Sequence, residues 1–251
     1  MSTEPTPQTP VTAVVLAGGD ASDPLARHAG VPAKAHVPVA GRPLADHVLT
    51  ALAQARTVGH TVYVGEPPEG LHHPPDWQVG AGRRFSDSVA LGLGAALAVS
   101  PGRRLLICTA DLPWLSGSAV DRFIDAADAG LNYPVIPREV SERQFPDQRR
   151  TWVRLRQGQV TGGNVALIEP GLVPDLLLLA DRFFAARKNP LALSSLLGPG
   201  TLLDLLRGRA DISRLEKRVS ELLGWKARAV FVDDAGLGAD VDRPEHLLAA
   251  V

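Results

Sequence analysis

The stretch Val11-Thr12-Ala13-Val14-Val15-Leu16-Ala17-Gly18-Gly19 decides how the rest of this chain is read. A β-branched apolar run that stops at two glycines is the pattern of a buried strand opening into a tight turn. Further short runs stand at 61–64, 104–109, 134–136, 165–168 and 227–232, with helix-periodic stretches at 44–55, 87–99 and 119–129 among them. Strands alternating with helices predict an α/β fold whose mostly parallel sheet is covered on both faces. Residues 65–75, rich in Pro and Gly, read as loop. From 172 to 224 no strand pattern occurs, and leucine-rich text broken at Asn189-Pro190 and Gly198-Pro199-Gly200 predicts a helical insertion or lid. Asp211 or Ser213 is placed to cap its last helix, with Gly224 just past the end. The expected organisation is a flexible tail over 1–10 and one domain over 11–251, carrying the helical insertion at 172–224.

Composition narrows the function classes. With 45% hydrophobic and 21% charged residues, 251 residues suffice for a full core, which excludes a disordered tail protein. The 26 basic and 27 acidic residues nearly cancel, so neither bulk nucleic acid nor an anionic membrane is indicated as a partner. Cys108 is the single cysteine, which rules out an internal disulfide framework and a cysteine-rich metal site and makes the cytoplasm the simplest home. Apolar runs end before the roughly 18 residues that a membrane span needs; Pro174 and Asp175, for example, stand just ahead of the run 176–180. A soluble protein is expected.

In open α/β sheets, ligands bind at the carboxyl ends of the strands, so the residues that follow each strand matter most. Gly18 and Gly19 let backbone N–H groups approach an anion without a Cβ in the way, although a tight turn alone would use them equally. Both the dinucleotide and the P-loop fingerprints are absent. Among 22 arginines and 4 lysines, Lys34 is the only lysine before Lys188. An ammonium is a compact point charge where a guanidinium asks for a planar partner, a distinction that phosphate chemistry can use. Asp111 follows the run 104–109, with Leu112-Pro113 behind it, and suits a hard cation such as Mg²⁺ as well as it suits a turn. Asp240 and Asp242 form a second acidic group; Asp242 is also a plain candidate for a helix cap, with Pro244 in the first turn. Six arginines between Arg138 and Arg156 stand against Glu139, Glu142 and Asp147, an excess that either receives a phosphate or lies on a solvated hairpin. The seven histidines are scattered, and the adjoining pair His72-His73 reads as solvated loop.

Taken together, Leu16-Ala17-Gly18-Gly19, Pro32-Ala33-Lys34-Ala35 and Val37-Pro38-Val39-Ala40-Gly41-Arg42-Pro43-Leu44 resemble the N-terminal signature of nucleotidyltransferases of the molybdenum-cofactor guanylyltransferase-like and sugar-phosphate nucleotidyltransferase superfamily. Arg83-Arg84-Phe85-Ser86-Asp87-Ser88-Val89-Ala90-Leu91-Gly92-Leu93 is similar to the segment that contacts base and ribose in cytidylyltransferases of this group, and Thr109-Ala110-Asp111-Leu112-Pro113 to its metal-binding aspartate motif. The run from Asp240 to Leu247 resembles the closing motif with the second metal ligand, and Thr161-Gly162-Gly163-Asn164 a segment lining the acceptor side in some members. The resemblance runs from about residue 11 to 248, loosely over 172–224.

It implies a three-layer Rossmann-like nucleotidyltransferase fold and transfer of a nucleoside monophosphate from an NTP to a phosphate-bearing small molecule, with Mg²⁺ as cofactor and pyrophosphate released. By the same resemblance Lys34 and Asp111 are catalytic, and Leu16, Ala17, Gly18, Gly19, Lys34, Ser86, Ser88 and Asp111 bind the nucleotide. Thr161, Gly162, Gly163 and Asn164 line the acceptor side, and Asp111 with Asp240 holds the metal, Asp242 standing in reserve. Two alternatives stay open: a molybdenum cofactor guanylyltransferase proper, and a catalytically weak nucleotide-binding or regulatory protein on the same fold. The second is raised by one departure, because the family's third glycine and arginine are replaced here by the acidic run from Asp20 to Arg27, in which Arg27 is the available arginine.

Overall fold

The computed structural model of the chain describes residues 9–186 and 198–243. Most of the expected tail, the break at 189–190 and the end of the closing motif at 244–247 therefore lie outside the described residues. The first strand, β1 (Val11–Leu16), is buried along its whole length, as its unbroken apolar run requires. A short helix α1 (Pro24–Ala29) and a two-stranded ribbon of β2 (Pro38–Val39) and β3 (Arg42–Pro43) lead into α2 (Leu44–Gln54). There follow β4 (Val58–Val64), β5 (Trp77–Val79), α3 (Phe85–Val99), β6 (Leu105–Thr109), α4 (Gly117–Asp125), β7 (Leu131–Pro137) and α5 (Arg138–Gln144). A hairpin of β8 (Val153–Leu155) and β9 (Gly158–Gly162) continues into β10 (Val165–Ile168), and α6 (Val173–Ala186), α7 (Pro199–Leu206) and α8 (Ile212–Leu223) precede β11 (Ala227–Phe231). The described parts of 172–224 are thus helical, and α8 has the predicted ends: the Asp211 side chain accepts the N–H of Ser213, and Gly224 adopts φ 69°.

Among the described residues, nine strands form one sheet in the order β5-β4-β1-β6-β10-β7-β9-β8, with β11 also paired to β7. Only β9 and β10 run against the other strands, so the sheet is mostly parallel as predicted. Alternation along β1 divides the core into two. Val11, Ala13 and Val15 pack with Val48, Leu49 and Leu52 of α2 and Phe123 of α4, whereas Val14 and Leu16 pack with Val89 and Leu93 of α3 and, farther along, Val173 of α6. This is the three-layer α/β arrangement. Gly92 brings α3 close: a Cβ there would stand 2.6 Å from both Val14 Cγ1 and Val64 Cγ2. Among the described residues no helix is long and apolar enough to cross a membrane.

The structure adds elements without a strong periodic signal, namely α1, α5, β5 and the β8–β9 hairpin. It also corrects the reading of His72 as merely solvated. Its backbone N–H donates to Asp46 Oδ1, and its Nδ1 lies 2.7 Å from Asp46 Oδ2. Asp46, fully buried on α2, also accepts from Arg42 Nε at 2.7 Å. Burial alone would raise this carboxyl, but the bonds from the His72 backbone, Arg42 and the His72 ring outweigh it and hold the group below its ordinary value. The loop 65–75 is fastened to α2 by this cluster.

Candidate active site

The strand register sets the floor of the site. Leu16 stands opposite Val64 of β4 on one side and Thr109 of β6 on the other, so the three strands end level. Ala17 N–H then donates to Val64 O and Ala110 N–H to Leu16 O, both at 3.0 Å, which keeps the following loops side by side. Above them opens a cleft of about 520 Å³ lined by Leu16, Ala17, Gly18, Gly19, Lys34, Ser88 and Asp111, all predicted, and by Asp20, Arg83, Arg84 and Phe85. Gly18 is small because its Cβ would meet Ser88 Oγ at 3.0 Å and Ala81 Cβ at 3.2 Å, whereas a Cβ on Gly19 would meet nothing within 4 Å. The first glycine therefore answers to packing, and the second faces open space.

Lys34 starts a 3-10 turn (Lys34–His36) that lays its stem across the cleft. Its Nζ lies 2.5 Å from Asp111 Oδ2 and is also ion-paired to Asp242. Burial works against its charge, and the two carboxylates overcome that and raise its pKa. Thr109 Oγ1 donates to Asp111 Oδ1 at 2.5 Å, so both oxygens of Asp111 are engaged. Val241 N–H donates to Asp111 O, which brings the segment after β11 across the sheet's end. Asp111, Asp240 and Asp242 there present carboxylate oxygens within 4.8 Å of one another. Burial, then Asp242 and Asp111, push Asp240 above its ordinary value, and Arg150 opposes them. Such hard oxygen donors suit Mg²⁺.

The acceptor-side candidates Thr161, Gly162, Gly163 and Asn164 span the junction of β9 and β10 and do not line the cleft itself. They adjoin it through the backbone: Thr109 N–H donates to Asn164 O, and Asn164 N–H to Leu237 O. Ser88 is 4% exposed, and its Oγ accepts Gly82 N–H at 3.0 Å. Ser86 behaves differently. Because α3 begins at Phe85 and Asp87 accepts the N–H of Arg84, Ser86 is no cap, and it does not line the cleft.

The acidic run after Gly19 serves local structure. Asp20 accepts Ser22 N–H, Asp23 accepts the N–H groups of Leu25 and Ala26 to cap α1, and exposed Arg27 donates to Ser22 O. Arg27 therefore does not line the cleft. Cys108 is buried, and burial followed by Asp111 pushes its thiol up to about 12, which makes it no nucleophile. Two residues join the predicted ones, Phe85 from within the segment that resembles a base-contacting motif and Arg150, which was missed from sequence. Phe85, 51% exposed, lines the cleft beside Arg84. Arg150, one of six arginines in its region with nothing to mark it out, donates to Asp240 Oδ1 at 2.5 Å. Its neighbour Arg138 pairs instead with Glu142 and lies over the Trp152 ring at 5.5 Å.

Comparison with known proteins gives three kinds of similarity. Residues 13–216 match the MobA-like NTP transferase domain. A phosphoenolpyruvate guanylyltransferase from Sphaerobacter thermophilus is 38% identical over 88 residues, 33% of this chain and 42% of that protein, so the match spans less than half of that relative. Among solved structures, a hypothetical transferase from Thermus thermophilus is 40% identical with a TM-score of 0.86, covering 95% of this chain and 100% of that one. A 2-C-methyl-D-erythritol 4-phosphate cytidylyltransferase, also from Thermus thermophilus, is 20% identical with a TM-score of 0.53 over 96% of this chain and 97% of that one, a likeness of fold alone.

Proposed function

The chain belongs to the MobA-like NTP transferase domain family and is a nucleotidyltransferase, and on that premise we propose that it moves a nucleoside monophosphate from an NTP to a phosphate-bearing small molecule and releases pyrophosphate. One observation carries this reading: Lys34 and Asp111 meet at 2.5 Å on the same cleft that the glycine loop floors. In it, the loop 16–19 offers backbone N–H groups to the nucleotide, with Gly19 leaving room above them. Ser88 already accepts from Gly82, so its hydroxyl hydrogen is the part offered to base or ribose. Asp111, Asp240 and Asp242 would hold Mg²⁺, which when bound supplies charge neutralisation at the α-phosphate. Lys34 exchanges its carboxylate partners for phosphate oxygens when the nucleotide enters. The segment 161–164 faces the acceptor. An acceptor phosphate is an anionic nucleophile at neutral pH, so alignment and charge neutralisation suffice and no general base is required.

The relative named for phosphoenolpyruvate and guanylyl transfer makes GTP and phosphoenolpyruvate the first pair to assay. The test is release of pyrophosphate from each NTP with Mg²⁺ and a series of acceptor phosphates, alongside Asp111→Asn. Turnover in the wild type that collapses in the variant is expected. Saturable NTP binding with no exchange of labelled pyrophosphate would instead identify a non-catalytic binder.

A further inference from the structure

Arg150 sits on the loop between α5 and β8, and its side chain is 9% exposed. The guanidinium is divided between two segments far apart in sequence: Nη1 donates to Asp240 Oδ1 at 2.5 Å and Nη2 to Gly162 O at 3.3 Å. Gly238 makes room for it, since a Cβ there would stand 2.9 Å from Nη2. The same loop grips the Asp240 backbone as well, because Gln148 Nε2 donates to Asp240 O at 2.9 Å. Just before the loop, Gln144 accepts Ala235 N–H and donates to Asp233 O. The stretch 144–150 is thus fastened along 233–240, ending on the carboxylate.

We infer that Arg150 is a positioning residue: it fixes the Asp240 carboxylate among the three aspartates proposed to hold the cation, and it ties that carboxylate to the acceptor-side segment at Gly162. The inference rests on the proposed metal role of the three aspartates. Its physical basis is the crowding of Asp111, Asp240 and Asp242, whose oxygens lie within 4.8 Å. Lys34 compensates two of them and Arg150 the third. A partly buried carboxylate without a counter-charge would be expelled or protonated. A lysine could supply the charge, but only a planar fork reaches both Asp240 and the Gly162 carbonyl at fixed angles. Through that fork, a shift of β9 moves the carboxylate, so the acceptor side and the cation side keep one spacing.

The test is Mn²⁺ binding, read from the electron paramagnetic resonance signal of the free ion, with each NTP on the wild type, Arg150→Lys and Gly238→Ala. Arg150→Lys keeps the charge and removes the fork; Gly238→Ala keeps both and crowds Nη2 together with Ile136 Cδ1 and Gly163 Cα, which provides a second route should the first variant fail to fold. Both variants are expected to bind Mn²⁺ in the nucleotide complex about 10–100-fold more weakly, the usual cost of losing a group that orients a metal ligand. Nucleotide binding in excess chelator should stay at the wild-type level, which a general loss of structure would not permit. Wild-type Mn²⁺ affinity in both variants overturns the role of Arg150 while leaving the proposed transferase site intact. A wild type that takes up no Mn²⁺ with any of the NTPs overturns the metal reading itself, and the inference with it.

Discussion

Gly18 and Ser88 are in contact across the floor of the cleft: a Cβ on Gly18 would stand 3.0 Å from Ser88 Oγ, the same oxygen that accepts Gly82 N–H. Gly19 has no such neighbour. Gly18→Ala is therefore expected to disturb the hydroxyl and lower both stability and NTP affinity. Gly19→Ala should leave the melting temperature of the free protein unchanged and weaken NTP binding, because the added methyl occupies space only a ligand would use. Thermal unfolding with and without NTP separates the two; unchanged NTP affinity in Gly19→Ala would remove the loop from the nucleotide site.

Ser88→Ala withdraws the acceptor from Gly82 N–H, a loss worth about 1–3 kcal/mol when the donor is left unpaired. Denaturant unfolding should show that loss, and titration calorimetry a weaker NTP complex. Stability lost with every NTP dissociation constant intact would confine Ser88 to a structural role.

Lys34→Ala should cost about 10²–10³ in turnover, the usual consequence of losing a preorganised charge where negative charge develops. Lys34→Arg should recover only part of it, since the larger planar group cannot take the place of an ammonium held between Asp111 and Asp242. The same pairing predicts an opposite effect on free metal. With the ammonium gone, the negative charge of Asp111 and Asp242 is less compensated, so Lys34→Ala should bind Mn²⁺ more tightly than the wild type in the absence of nucleotide. Full activity in both variants would take Lys34 out of the mechanism.

Asp46 supplies a prediction about pH. Its pKa is lower folded than unfolded, so its contribution is present above the unfolded value of about 3.9 and lost as pH falls through the folded one. Asp46→Asn should be less stable by about 1.5–3 kcal/mol at neutral pH, the range for hydrogen bonds to a charged group. The gap between variant and wild type should narrow as pH drops below 4, and urea unfolding across that range measures it. A gap independent of pH would mean that the charge of Asp46 is unimportant.

Two glycines of α3 offer a paired test of packing. Gly92→Ala drives a methyl into Val14 and Val64, neither of which can turn aside on its buried strand, and should cost about 1–3 kcal/mol. Exposed Gly94, with nothing within 4 Å of its Cβ position, should gain about 0.4–1 kcal/mol on the same change.

The sheet was legible where side chains alternate or run apolar without a break, as in β1, β6 and β10, because burial on both faces leaves little choice of residue. It was not legible at β5, Trp77–Val79, where three half-exposed or exposed residues give no period. Lys34, Asp111 and the loop 16–19 could be found because each follows a strand or stands out in composition. Arg150 could not, since its sequence neighbours are equally basic and only the fold decides which of them meets Asp240. Ser86 shows the converse: a single step along the helix separates Phe85, which lines the cleft, from Ser86, which does not.

Lys34 joins Asp111 across 77 positions and Asp242 across 208. Contacts of such long range close large loops, an entropy cost that grows slowly with the number of residues between the partners. On the ribosome, strands β1, β4 and β6 emerge with Lys34 and Asp111 long before residues 238–242 do, and the carboxylate trio stays incomplete until β11 has joined β7. A nascent chain that ends before residue 240 therefore carries only one of the three aspartates proposed to hold the metal, so on that proposal metal binding by all three requires that synthesis has passed residue 242.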